Sequence, residues 1–167
     1  MKRTGHWPAD EAETFLREST VPVRLACRTP NDDLWMLSLW YEWVGGEDRP
    51  ELCCATSAAA DVVRFLRAND DVAFEISTND PPYRGVRGRG TASIEPDEEK
   101  TLLRSLLERY LGGTENELGS FLLDDDREEV RIRITPTRLH SWDYSGRMRD
   151  VVADDANNES NGDANDK

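Results

Sequence analysis

The sequence predicts a mainly β fold of the α+β class, an antiparallel barrel with appended helices. Three observations carry this reading. Two-residue apolar alternation recurs: Trp35, Leu37, Leu39, Tyr41 and Trp43 in one run, Val72, Phe74 and Ile76 in another, Val130, Ile132 and Ile134 in a third. Side chains alternate across a strand, so each run has one apolar face. Helical patterns interrupt the strands without alternating with them regularly, which disfavours a doubly wound parallel sheet. Most connections are short turns, as an antiparallel barrel allows.

The elements follow in order. Pro8 followed by Asp10 and Glu11 starts a short helix, with proline early and acids in the first turn. Val21–Cys27 alternates as a strand, and Thr29-Pro30-Asn31-Asp32-Asp33 is turn chemistry. Leu34–Trp43 reads as one continuous strand, and Gly45-Gly46 turns the chain into a strand over Leu52–Thr56. Ala59, Val62, Val63 and Leu66 stand at helical spacing, so 58–68 reads as a helix. Strands follow over Val72–Ile76 and Arg84–Ile94, divided by Asn79-Asp80-Pro81-Pro82. Glu95-Pro96-Asp97 opens a helix whose stripe is Leu102, Leu103, Leu106, Leu107, Tyr110 and Leu111. A helical piece spans Leu118–Leu123, and two last strands cover Val130–Ile134 and Arg138–Tyr144. Residues 1–152 form one domain in this reading, and the Asp- and Asn-rich tail 153–167 is expected to be disordered.

Charge restricts the function. The 34 acidic residues outweigh 21 basic ones, giving −13 in a chain of 167 residues. Such a field repels free nucleic acid. The tail carries five acids and one lysine, so most of the excess lies in the domain. Only Lys2, Lys100 and Lys167 are lysines, and many carboxylates with few lysines suit a halophilic, high-salt cytoplasm. No apolar run is long enough to span a bilayer, and no apolar segment follows Lys2 and Arg3 as in a secretory leader, so a cytoplasmic protein is expected, with no membrane partner. Cys27, Cys53 and Cys54 form no paired framework, and His6 and His140 are too few for a zinc site, so no metal is expected.

The most unusual stretch is Tyr83-Arg84-Gly85-Val86-Arg87-Gly88-Arg89-Gly90-Thr91-Ala92. Arg87, Arg89 and Thr91 share one strand face, and Gly88, Gly90 and Ala92 the other. Glycine inside a strand marks close approach by another group. The arginines fit either a phosphate or carboxylate site, or a polar face paired with neighbouring acids. Trp142 suits either stacking on a flat ring or closing the barrel core. Trp40 lies on the mixed face with Ser38. No catalytic acid, base or nucleophile stands out. Ser141 follows His140, but strand neighbours point apart.

The order of these elements resembles the pyridoxamine 5'-phosphate oxidase-like family of flavin-binding split barrels. The local matches are 52–71 and 81–92, backed by Ser141-Trp142-Asp143. The resemblance implies a six-stranded antiparallel split β-barrel with appended helices. It also implies a homodimer with flavin between subunits, FMN as the usual cofactor and a deazaflavin in some branches. The family's phosphate-binding Ser-Arg-Lys run falls on Ala60, Asp61 and Val62, its lysine after the second strand on Trp40, and its arginine near Trp35. Thr56 is retained, and Arg64 still lies on the helix.

On that resemblance the expected function is a flavin-dependent oxidoreductase acting on a small molecule. The cofactor-binding residues are then Ser38, Leu39, Thr56, Arg64, Arg84, Arg87, Arg89 and Trp142. The alternative is a non-catalytic split-barrel module for a small anionic ligand, with the flavin lost.

Overall fold

A computed structural model describes residues 1–46 and 49–148. The acidic tail 153–167 lies outside the described residues. The strands are β1 (Lys2–Gly5), β2 (Val23–Arg28), β3 (Leu34–Leu39), β4 (Tyr41–Val44), β5 (Glu51–Ser57), β6 (Asp71–Ser77), β7 (Arg84–Pro96) and β8 (Glu129–Asp143). The helices are α1 (Ala9–Glu18), α2 (Asp61–Ala68), α3 (Thr101–Leu111), preceded by a single 3-10 turn at Glu98–Lys100, and α4 (Glu117–Leu122). All strands join one sheet in the order β3-β2-β6-β7-β8-β5-β4, with β1 added parallel to β8. The class is as expected, but the sheet has eight strands rather than six. No helix among the described residues is long and apolar enough to cross a membrane.

The run 34–44 is where the sheet curls. It was expected as a single strand, yet β3 pairs with β2 at one edge and β4 pairs with β5 at the other. Only Trp40 separates the two halves, so both edges must meet there. Tyr110 of α3 holds the bend: its hydroxyl accepts from the Tyr41 N–H at 3.2 Å, and its ring stacks on Trp40 at 5.2 Å. Tyr41 is wholly buried, and its hydroxyl donates to the Leu16 carbonyl of α1 at 3.0 Å. The odd positions do face inward. Leu37, Leu39, Tyr41 and Trp43 all belong to the main core, and Trp35 meets Phe65 edge-on at 5.7 Å.

Inside the barrel, Leu25, Leu52, Ile76, Val86, Ile132 and Ile134 are fully buried. Leu16 of α1 and Val63 of α2 pack onto the same core. A smaller cluster outside the barrel joins Cys53, Leu102 and Leu106, with Trp40 and Tyr110 beside it. Cys54 faces in and Cys53 faces out, as alternation requires, and all three cysteines are free and buried.

The two last strands expected from the sequence are one long strand, β8. Its register against β7 shifts between Arg89 and Gly90, which pair with Arg138 and Pro136, so Thr137 is the extra residue of a bulge. Pro136 has no N–H to donate and suits such a position. The bulge reverses which residues face in: Val130, Ile132 and Ile134 before it, Leu139 and Ser141 after it.

Asp97 ties α3 to the barrel. The carboxylate is buried and accepts from the N–H groups of Leu102 and Leu103 at 3.0 and 2.9 Å. It also faces Arg131 of β8 at 3.4 Å. These are orphan donors of a helix start, and the conventional capping position holds Lys100, whose side chain makes no cap bond. Asp97→Ala is therefore expected to cost about 2 kcal/mol in chemical denaturation, and Asp97→Asn less, because the amide oxygen still accepts one bond.

Candidate functional site

Cross-strand partners share a sheet face, so the registers define what lies on the outside of the barrel. One row runs Ser38, Arg24, Glu75, Arg87, His140, Thr4, across β3, β2, β6, β7, β8 and β1. The next runs Met36, Ala26, Ala73, Arg89, Arg138, Lys2. The small Ala26 and Ala73 lower the middle of the second row. The result is a cleft of about 640 Å³ lined by Arg24, Arg87, Arg89, Arg138 and His140 against one carboxylate, Glu75.

Its electrostatics run against the rest of the molecule. Arg89 stands directly opposite Arg138, and Arg138 beside Lys2, while Arg87 faces His140. Like charges directly opposite on a sheet are destabilising. Among the described residues, the Arg87, Arg89 and Arg138 guanidiniums and the Lys2 ammonium have no hydrogen-bond or ion-pair partner. Elsewhere arginines are matched: Arg28 with Asp32, Arg127 with Glu129, Arg133 with Glu51 and Glu95. Arg24 is also engaged, donating to Ser77 Oγ at 3.0 Å and Asn79 Oδ1 at 2.6 Å. On β6 the cross-strand neighbour of Arg87 is the acid Glu75, which lies 3.7 Å from Arg24, and that of Arg89 is Ala73.

The glycines of that strand serve packing. A Cβ on Gly88 would lie 2.5 Å from Phe74 Cζ and 2.9 Å from Leu139 Cδ2, and one on Gly85 2.5 Å from the Ile76 carbonyl oxygen. Close approach is the reason for glycine here, and the approaching groups are the protein's own.

A second hollow of about 330 Å³ adjoins through Ser38, the cross-strand partner of Arg24. Ser38, Leu39, Trp40, Thr56 and Ser57 line it, so three of the expected cofactor residues come together there. Arg87 and Arg89 lie in the first cleft. Trp142 is half-buried opposite Gly85, two residues along β8 from His140 on the same face, with its ring 5.2 Å from Tyr144. It does not close the core. Arg64 lies outside both hollows, bound to Asp61 at 3.0 Å and over the Phe65 ring. Arg84 is outside too, opposite Asp143 at the end of the sheet. Burial pushes the Asp143 carboxyl up, but hydrogen bonds from Ser145 and Trp7, with Arg84 nearby, outweigh it and hold the group below its usual range.

The start of α2 carries no cation in its first two residues. Ala60 occupies the capping position without a side-chain bond, and Asp61 brings a negative charge to the first turn. Arg24, Arg138 and His140 were missed by the sequence reading. Alternation carried on from Ile134 points Arg138 and His140 inward, and only the bulge at Thr137 turns them out.

Burial keeps the cysteine thiols protonated. Burial raises all three thiols, Cys53 to about 11 and Cys54 well above its ordinary value. Among the described residues no cluster of three or more His, Cys, Asp or Glu could hold a metal ion.

Comparison with known proteins decides the family. The model of the pyridoxamine 5'-phosphate oxidase family matches residues 8–148. The chain belongs to the pyridoxamine 5'-phosphate oxidase family. Among solved structures, a conserved hypothetical protein of Mycobacterium tuberculosis is 26% identical at a TM-score of 0.67, over 86% of this chain and 90% of that one. An F420 reductase is also 26% identical, at a TM-score of 0.61, over 74% of this chain and 92% of that one. An FAD-binding protein of Mesorhizobium loti shares the fold at 20% identity and a TM-score of 0.56, over 81% and 93%. No curated protein matches the chain. Within the family pattern, the charges absent from the start of α2 stand in contrast to those gathered on β7 and β8.

Two outcomes follow from these charges. Relieving one like-charge contact with Arg89→Gln is expected to leave ligand-free stability unchanged or raise it by a few tenths of a kcal/mol, read as Tm, roughly the scale of a cross-strand pair. The thiols give a pH dependence. The unfolded chain ionises its cysteines near their ordinary pH, while the folded chain binds those protons longer. Unfolding free energy should therefore be insensitive to the thiols below about pH 8.5 and fall as pH rises towards 11.

Proposed function

We propose that the chain is a flavin-dependent oxidoreductase, working with FMN or a deazaflavin on a small-molecule substrate. The observation that carries the reading is the unpaired cation group of Arg87, Arg89 and Arg138 on an otherwise acidic protein. Such a group is stabilised by an anion, and two adjacent arginines suit a phosphate monoester. From Ser38 to Arg87 the row crosses three strand intervals, roughly 14 Å, comparable with an extended flavin ring and its ribityl phosphate. In this reading the ring lies towards Ser38, Leu39 and Thr56, its phosphate binds Arg87 and Arg89, and Trp142 covers the open end. When bound, the flavin supplies the hydride or electron transfer, while the chain binds and orients it. Relatives described as FAD-binding and as an F420 reductase support a flavin-type cofactor.

A homodimer fits the same reading. Leu34, Trp35 and Met36 on the edge strand β3 are 80%, 46% and 66% exposed, a contiguous apolar strip that a second copy would cover. The acidic surface and reduced, buried cysteines suit a salt-rich cytoplasm. One observation favours the alternative of a flavin-free binding module: Asp61 stands where the family places phosphate-binding charge.

Absorbance spectra separate the two. Protein purified in high salt and mixed with FMN or a deazaflavin should retain the cofactor's bands through desalting. The double variant Arg87→Gln/Arg89→Gln should lose at least about tenfold in affinity while keeping its oligomeric state. A colourless wild-type protein that retains neither cofactor would establish the binding-module reading instead.

A further inference from the structure

The second hollow, of about 330 Å³ beside the bend at Trp40, has walls that the flavin reading does not use. Ser38, Leu39, Thr56 and Ser57 line it from β3 and β5, while Leu103 of α3, Leu122 of α4, Arg127 and Glu129 line it from other elements. Arg127 lies in the turn between α4 and β8, and Glu129 opens β8 opposite Ser57. The same pair lines a further hollow of about 610 Å³ beside the 3-10 turn, so it stands where the two hollows meet.

Arg127 is held in place, but its bonding is incomplete. Its Nη2 donates to Glu129 Oε1 at 3.2 Å, and its guanidinium lies over the Phe121 ring, 4.7 Å from the centroid. Its backbone N–H donates to the Asp124 carbonyl at 3.1 Å, which fixes the turn that presents it. Nε is buried and has no hydrogen-bond partner among the described residues. Arg109, Arg131 and Arg133 share that feature, yet they line neither hollow. A buried N–H without an acceptor is costly, and beside a hollow the acceptor comes from the occupant. Glu129 decides what kind of acceptor that is. Its side chain is 2% exposed and already offsets the Arg127 charge. A further anion would leave surplus negative charge out of water, which costs more than it gains. Leu39, Trp40, Leu103 and Leu122 add apolar walls. The occupant that fits is neutral and mostly apolar, with a carbonyl oxygen as its acceptor.

We infer that the hollow takes a neutral carbonyl compound as the substrate, its oxygen accepting from the Arg127 guanidinium and its apolar body against Trp40 and Leu122. Arg127 then sets the substrate preference, and Glu129 and Phe121 are positioning residues that act through it. Only the word substrate rests on the flavin reading. The cationic cleft selects by charge, whereas this hollow selects by one hydrogen bond in apolar surroundings.

The test uses the full chain and three probes of similar size: acetophenone with a neutral carbonyl, ethylbenzene with no acceptor, and benzoate with a charge. Arginine labelled with nitrogen-15 gives the readout, since a buried Nε–H exchanges slowly with water and the Arg127 signal is the one missing in Arg127→Lys. Acetophenone is expected to move that signal and to bind about tenfold more tightly than ethylbenzene or benzoate. Arg127→Lys keeps a cation beside Glu129 and should abolish the difference between acetophenone and ethylbenzene. Phe121 is 60% exposed, so Phe121→Ala leaves the core intact, and it should cut the acetophenone preference by about threefold. Protein loaded with FMN or a deazaflavin should respond in the same way. Equal affinity for acetophenone and ethylbenzene, tighter binding of benzoate, or an Arg127 signal that acetophenone does not move would overturn the inference and leave the flavin reading intact. Loss of the acetophenone response in loaded protein would overturn it too, by assigning the donor to the cofactor ring. Retention of neither cofactor by the wild-type chain would overturn the flavin reading, while the acetophenone response still decides the role of Arg127.

Discussion

One bend sets the geometry of this protein. Residues 34–44 serve both edges of the same sheet, so the sheet curls until β3 and β4 meet at Trp40. The stack of Tyr110 on Trp40, with its hydroxyl on the Tyr41 backbone, holds that junction from outside. Buried Tyr41 holds it from inside through Leu16. The pairings of β3, β2, β6, β7 and β8 put Ser38 in line with Arg24, Glu75, Arg87 and His140 on one outer face.

The cleft then concentrates charge where the protein otherwise avoids it. A net charge of −13 leaves many carboxylates, yet among the described residues only Glu75 lines this cleft. The neighbouring strand ends show the opposite arrangement, with Arg133 between Glu51 and Glu95, and Arg131 against Asp97. Cations opposed to cations cost stability in the empty protein. An anion bound in the cleft, as proposed, would reverse the sign of that cost.

Much of the fold was legible in the sequence because burial imposes its period on strands. The runs at 72–76 and 130–134 and the odd positions of 37–43 all face the core as their alternation says. Three features were not legible, each for a physical reason. The division at Trp40 depends on Tyr110, seventy residues away in sequence, so no local pattern marks it. Strand β1 lacks apolar alternation because it is half-exposed and exists through its bonds to β8. The bulge at Thr137 interrupts the period, and it separates an inward from an outward reading of Arg138 and His140. The arginines of β7 were visible in one run, while Arg24 of β2 and Arg138 and His140 of β8 join them only through the strand registers. The glycines between those arginines were legible as close approach, though only the structure shows that Phe74 and the strand backbone are what approaches.

Within its family the chain keeps the barrel, and its cations gather on β7 and β8. Ala60, Asp61 and Val62 leave the start of α2 without cations, and in the proposed reading Arg87 and Arg89 of β7 take their place. The most direct measurement is a crystal structure of the chain with a flavin bound. The account predicts the phosphate within hydrogen-bonding distance of the Arg87 or Arg89 guanidinium. A phosphate at the start of α2 beside Asp61, with the β7 arginines untouched, would contradict it.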